Sequence, residues 1–174
     1  MPQKLFRRPP SGLDRATFLA LYGPVYEHSP WIAETVFDAG LQVVHDGPEG
    51  LHAAMRAVVE AASRERQMAL LRAHPDLAGR LAVRRELTAH SASEQAGAGL
   101  DKCEPEEFAK FTRLNEAYKA KFGIPFVMAV KGRKRDEILA AFERRLGNDM
   151  AAEFRTALDE VHKIARFRLA DLQA

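Results

Sequence analysis

The stretch EPEEFAKFTRLNEAYKAKFG, residues 104–123, narrows the possible folds more than any other part of this chain. Phe108, Phe111, Leu114 and Tyr118 recur at helical spacing, and Gly123 offers a stop, so the stretch reads as one long amphipathic helix. The same period returns elsewhere. Leu51, Ala54, Met55, Val58 and Val59 follow the turn DGPEG, residues 46–50. Ile138, Leu139, Phe142 and Leu146 mark a helix stopped near Gly147–Asn148. Phe154, Leu158, Val161, Ile164, Ala165, Arg168 and Leu172 lie on or near one stripe of a final helix from about Asp149. Helices with one apolar stripe bury it against one another, so the predicted class is all-α. The 174 residues fit one domain, 1–174, with 1–12 as a loosely ordered arm. The expectation is a single compact bundle of about eight or nine helices.

One run breaks the period. IPFVMAV is continuously apolar, with a proline inside it, and predicts an extended segment through the core near 124–131. KGRKRDE then returns the chain to solvent. Other helix boundaries can be read from local chemistry. Ser11–Gly12 and Asp14 precede DRATFLALYG. Ser29 can cap PWIAETVFDAG, with Pro30 at its first position and Gly40 as its stop. RERQMALLRA runs into His74, and LAGRLAVRREL follows as another helix. Ser91 or Ser93 can cap a helix carrying Glu94 and Gln95. No internal repeat, low-complexity tract or linker interrupts this order.

Composition excludes several classes. The apolar fraction of 47% and charged fraction of 29% are those of a globular chain. A formal net charge of +2 is far from that of a nucleic-acid-binding tail, and KGRKR lacks interleaved aromatics, so it reads as a solvated turn. No apolar stretch is long enough to span a membrane, and MPQKLFRRPPSG lacks an apolar signal core. The lone Cys103 permits no intrachain disulfide and suits a reducing cytoplasm. Its acidic neighbours make it a poor thiolate. Of His28, His45, His52, His74, His90 and His162, no pair has H-E-x-x-H spacing, so no metal is expected. Neither phosphate-binding glycine motif is present.

Three places invite chemistry. Pro75 disfavours helix at His74 and suits the first turn of a new helix, which puts His74 at a junction. There it is either a capping or core histidine or an acid/base near neutral pH. SASEQ, residues 91–95, is a capping box in form, with Ser91 as cap and Glu94 reaching back. The small residues of AGAGLD behind it let another element approach, and Gln95 beside Glu94 offers donors and acceptors to a polar ligand. Arg168 sits close to the apolar stripe of the last helix, where a guanidinium must be paired or reach a cleft. A structural ion pair and a substrate anchor are equally good readings from spacing alone.

HPDLAGRLA, LTAHSASEQAGAGLD, FTRLNEAYKAKFGIPFVMAVKGR and EVHKIARFRLADL, in this order, resemble the OHCU decarboxylases, the 2-oxo-4-hydroxy-4-carboxy-5-ureidoimidazoline decarboxylases of urate breakdown. The resemblance runs from about Asp14 to Leu172. It implies an all-α fold, a homodimer, and cofactor-independent decarboxylation to S-allantoin. It implies His74 and Glu94 as catalytic residues. It implies Pro75, Ser91, Gln95, Arg168 and the backbone of Phe126, Val127, Met128, Ala129 and Val130 as the substrate-binding set. The implied partner is a small ureidoimidazoline, not nucleic acid or membrane. Two other readings remain open at this point: another ureide- or hydantoin-processing lyase or hydrolase on the same scaffold, or a non-enzymatic helical interaction module.

Overall fold

The computed structural model describes residues 5–77 and 104–173. Seven α-helices lie among them: α1 Arg15–Tyr22, α2 Trp31–Asp38, α3 Pro48–Ala61, α4 Arg64–Arg72, α5 Pro105–Phe122, α6 Arg135–Leu146 and α7 Met150–Asp171. The class is all-α. Seven is short of the eight or nine helices expected; of the helix expected over LAGRLAVRREL only Leu77 is described, in a turn, and the helix expected after SASEQ lies outside the described residues. β pairing among the described residues is confined to one antiparallel bridge between Phe6 and Gln173. No helix among them is long and apolar enough to cross a membrane. The chain divides into two compact units, Met1–Ala73 with His162–Ala174, and His74–Val161.

In the first unit α1 starts where the sequence predicts. The Asp14 carboxylate accepts the Thr17 N–H at 2.9 Å and the Thr17 hydroxyl at 2.7 Å. These bonds hold its pKa below the usual carboxylate value. The start of α2 differs from the expectation. Ser29 does not cap it; its hydroxyl turns back and donates to the Glu27 carbonyl at 3.0 Å, and the capping position falls to Pro30. Gly40 does end this stretch, with φ +96° and its N–H on the Phe37 carbonyl.

DGPEG is less of a turn than expected, because Pro48 already opens α3. Gly50 is forced by packing: a Cβ there would lie 1.8 Å from the Val44 carbonyl oxygen. Below it Leu51, Met55 and Val59 are buried at helical spacing. From residue 5 onward the expected loose arm is held. Phe6 is buried against Tyr22, ring centroids 5.1 Å apart, and Ser11 gives its N–H and hydroxyl to the Asp46 carboxylate. Burying an aromatic ring favours order by about 1.5–3 kcal/mol, which with the Asp46 hydrogen bonds opposes the entropy of fixing the arm.

In the second unit Pro105 opens α5, and the Glu107 carboxylate accepts the Glu104 N–H at 3.3 Å. Gly123 closes it in the left-handed region, φ +66°. Phe111, Asn115, Tyr118 and Phe122 form its buried face. Residues 124–130 are then neither helical nor paired in a sheet, and Ile124, Phe126, Val127, Ala129 and Val130 are buried, as the continuous apolar run predicts. Phe126 stacks on Phe142 of α6 with centroids 3.6 Å apart, and Tyr118 meets Phe126 edge-on at 5.2 Å.

Candidate active site

His74 stands where the sequence places it, just past the end of α4, with Ala73 as the last capping residue. It is buried, at 8% exposure. The residues after it are pinned to α5 at two points. Asn115 Nδ2 donates to the Leu77 carbonyl at 2.6 Å, and Lys119 pairs with Asp76 at 2.9 Å. Asn115 and Lys119 are one helical turn apart, so one face of α5 grips the HPDL segment. The Asn115 contact matters more of the two. Asn115 is buried at 3% exposure, whereas the Lys119 side chain is half exposed and its pair is worth little.

The segment 126–130 is gripped as firmly. Arg145 of α6 donates through Nη1 to the Val127 carbonyl at 2.7 Å and lies 4.4 Å above the Phe126 ring. Its Nε and Nη2 both meet Glu153 Oε1, the former at 2.8 Å. Glu153, fully buried, also accepts from the Tyr118 hydroxyl and from Asn148 Nδ2 at 2.8 Å. Burial, aided by the Glu153 bond, pushes the Tyr118 pKa far up. On the other side Glu160 of α7 accepts the Ala129 N–H at 2.8 Å.

Arg168 belongs to the other unit and is ion-paired. Its Nη1 meets Glu27 Oε2 at 2.7 Å and the Val25 carbonyl at 3.3 Å, and both side chains are almost fully buried. Between Val25 and Glu27, the Tyr26 hydroxyl meets His162 Nδ1 at 2.8 Å. His162 Nε2 meets Glu60 at 3.1 Å, and the His162 carbonyl bonds His52 Nε2 at 2.8 Å. Burial, reinforced by the Arg56 charge and opposed by Glu60, brings His162 down to about 4. The neutral ring satisfies both partners when Nδ1 accepts from Tyr26 and Nε2 donates to Glu60.

Ser91, Glu94 and Gln95 lie outside the described residues, as do His90 and Cys103. Among the described residues no group of three His, Cys, Asp or Glu side chains could hold a metal ion. Sequence reasoning missed Asn115, Arg145, Glu153 and Glu27. Asn115 had a signal, since it falls between Phe111 and Tyr118 on the buried stripe of α5. Arg145 had a similar one, three residues after Phe142 in α6.

Residues 11–170 match the family model described as OHCU decarboxylase. The chain belongs to the OHCU decarboxylase family. A 2-oxo-4-hydroxy-4-carboxy-5-ureidoimidazoline decarboxylase of Haloferax volcanii is 49% identical over 91% of this chain and 90% of its own length. Another of that name, from Halalkalicoccus jeotgali, is 42% identical over 91% of this chain and 86% of its own. Among solved structures, an (S)-allantoin synthase superposes with a TM-score of 0.72 at 31% identity, covering 94% of this chain. This chain spans about half of that protein, 52% of its length.

Proposed function

We propose that this OHCU decarboxylase family member converts 2-oxo-4-hydroxy-4-carboxy-5-ureidoimidazoline to S-allantoin and CO2. The observation that carries the reading is the family match over residues 11–170, nearly the whole chain. The substrate has a hydroxyl and a carboxylate on one ring carbon, beside a ring carbon that bears the ureido group and a C=N bond. When the C–CO2 bond breaks, its electron pair forms a C=C bond to the ureido-bearing carbon. The C=N π pair moves onto nitrogen, which takes up a proton. The resulting enol gives up its hydroxyl proton as the ureido-bearing carbon is protonated on one face. The substrate is thus its own electron sink, and the protein's tasks are orientation, charge and a directed proton.

In this reading His74 hydrogen-bonds the hydroxyl and carboxylate and serves as acid and base. Its burial and the anchoring of Leu77 and Asp76 to α5 support a fixed imidazole. Glu94 binds ring or ureido N–H groups and relays a proton. Gln95 matches an amide edge with one donor and one acceptor, Ser91 adds a hydrogen bond, and Pro75 shapes the junction. Arg168 anchors a carbonyl or carboxylate. Backbone groups of Phe126–Val130 supply fixed dipoles around the developing charge. We also read the protein as a cytoplasmic homodimer; light scattering of the purified chain tests the dimer.

The decisive experiment is circular dichroism of urate oxidised and ring-opened in place, followed by addition of this protein. Rapid growth of a one-handed allantoin signal, abolished by His74→Ala with the melting temperature retained, is the expected result. Racemic product at the uncatalysed rate overturns the activity. Glu94→Gln separates capping from proton relay: near-normal turnover would remove the relay role.

A further inference from the structure

We infer that Glu160 and Arg145 are positioning residues that set the two peptide planes on either side of Met128, and so aim its backbone at the substrate. The inference rests on the reading that residues 126–130 bind the ligand. It adds what holds them in register.

The geometry is constrained by elementary peptide chemistry. No cis peptide occurs among the described residues, so each peptide C=O and N–H point in opposite directions. The Val127 carbonyl is held by Arg145 Nη1 at 2.7 Å, which turns the Met128 N–H away from Arg145. The Ala129 N–H is held by Glu160 at 2.8 Å, which turns the Met128 carbonyl away from Glu160. One residue thereby offers a donor and an acceptor in planes fixed by charged partners. A ring with an amide or ureido edge needs one of each.

The two holders differ in how rigidly they are themselves held. Arg145 is buried and locked by Glu153, which is locked in turn by Tyr118 and Asn148. Its guanidinium has no second orientation that keeps these bonds. Glu160 is only partly buried, so its carboxylate can be changed without emptying the core. That makes Glu160 the better probe. Pre-set dipoles accelerate a reaction because they need no reorganisation when charge develops, and small misplacements are costly.

The test compares Glu160→Ala and Glu160→Gln with the unchanged protein, using the coupled urate assay and thermal melting. Glu160→Ala should lower kcat/KM by about 10²-fold, with the melting temperature within a few degrees. Glu160→Gln keeps an acceptor oxygen for the Ala129 N–H and should restore most of that loss. A merely structural carboxylate would show no such rescue. Amide hydrogen exchange at Ala129 should quicken in Glu160→Ala and return in Glu160→Gln. Turnover by the unchanged protein with Glu160→Ala within twofold of it would overturn the positioning role alone. Failure of Gln to rescue would do the same. An unchanged protein with no turnover would overturn the proposed function first, and the positioning role with it.

Discussion

Two buried arginine–glutamate pairs organise this protein, one in each unit, and they are built differently. Arg145 and Glu153 are eight residues apart, joined across the short connection between α6 and α7. Nε, Nη1 and Nη2 of Arg145 all bond protein atoms, and Glu153 collects two further donors. Arg168 and Glu27 are 141 residues apart, and their pair ties the last helix to the segment before α2. The first is a local clamp whose hydrogen-bonding capacity is spent on the fold and on the 126–130 segment. The second forms only when distant parts of the chain have come together. Burial and charge alone would have made the two look equivalent.

The comparison can be broken most directly at Arg145. Arg145→Met leaves the Glu153 carboxylate buried without its cation and should cost about 3–5 kcal/mol in urea unfolding. Adding Glu153→Gln should recover part of that loss, because no uncompensated charge then remains. An unchanged unfolding midpoint in Arg145→Met would show that the clamp is dispensable.

Arg168→Lys keeps a cation for Glu27 but loses the planar fork. Turnover should fall about 10²-fold, roughly 2.7 kcal/mol in the barrier. The stability loss should be smaller than that of Arg145→Met. Full turnover with a large stability loss would make the second pair purely structural.

Acid gives a handle on the unit that holds Arg168. His162 titrates near 4 in the folded protein against an ordinary value of 6.5. Between those values the unfolded chain binds the extra proton, so stability should fall as pH drops through that window. The full effect is of order 3 kcal/mol. His52, also shifted down by burial, acts in the same direction. His162→Gln should flatten the slope of melting temperature against pH between 6.5 and 4. An unaltered slope would assign the acid sensitivity elsewhere. The smallest effect is expected at an exposed cap: Asp14→Ala should lower the melting temperature slightly and leave turnover intact.

What the sequence settled by itself was whatever depends on neighbours along the chain. Asp14 opens α1, Gly123 closes α5, Pro75 keeps His74 out of the preceding helix, and the apolar run at 124–130 breaks the helical period. Each follows from the conformational preferences of a few adjacent residues. The family could be read the same way, because its motifs are local. Even a local rule failed where a tertiary choice intervened: Ser29 could cap α2, but its hydroxyl bonds the Glu27 carbonyl instead. The partners of the buried polar residues were decided by tertiary structure alone. Asn115, Arg145, Glu153 and Glu27 are ordinary surface residues by composition, and only packing takes water away from them. Once that happens each must find a partner or destabilise the fold. Those partners come from elsewhere in the structure: the Leu77 carbonyl for Asn115, the Val127 carbonyl for Arg145, and Arg168 for Glu27.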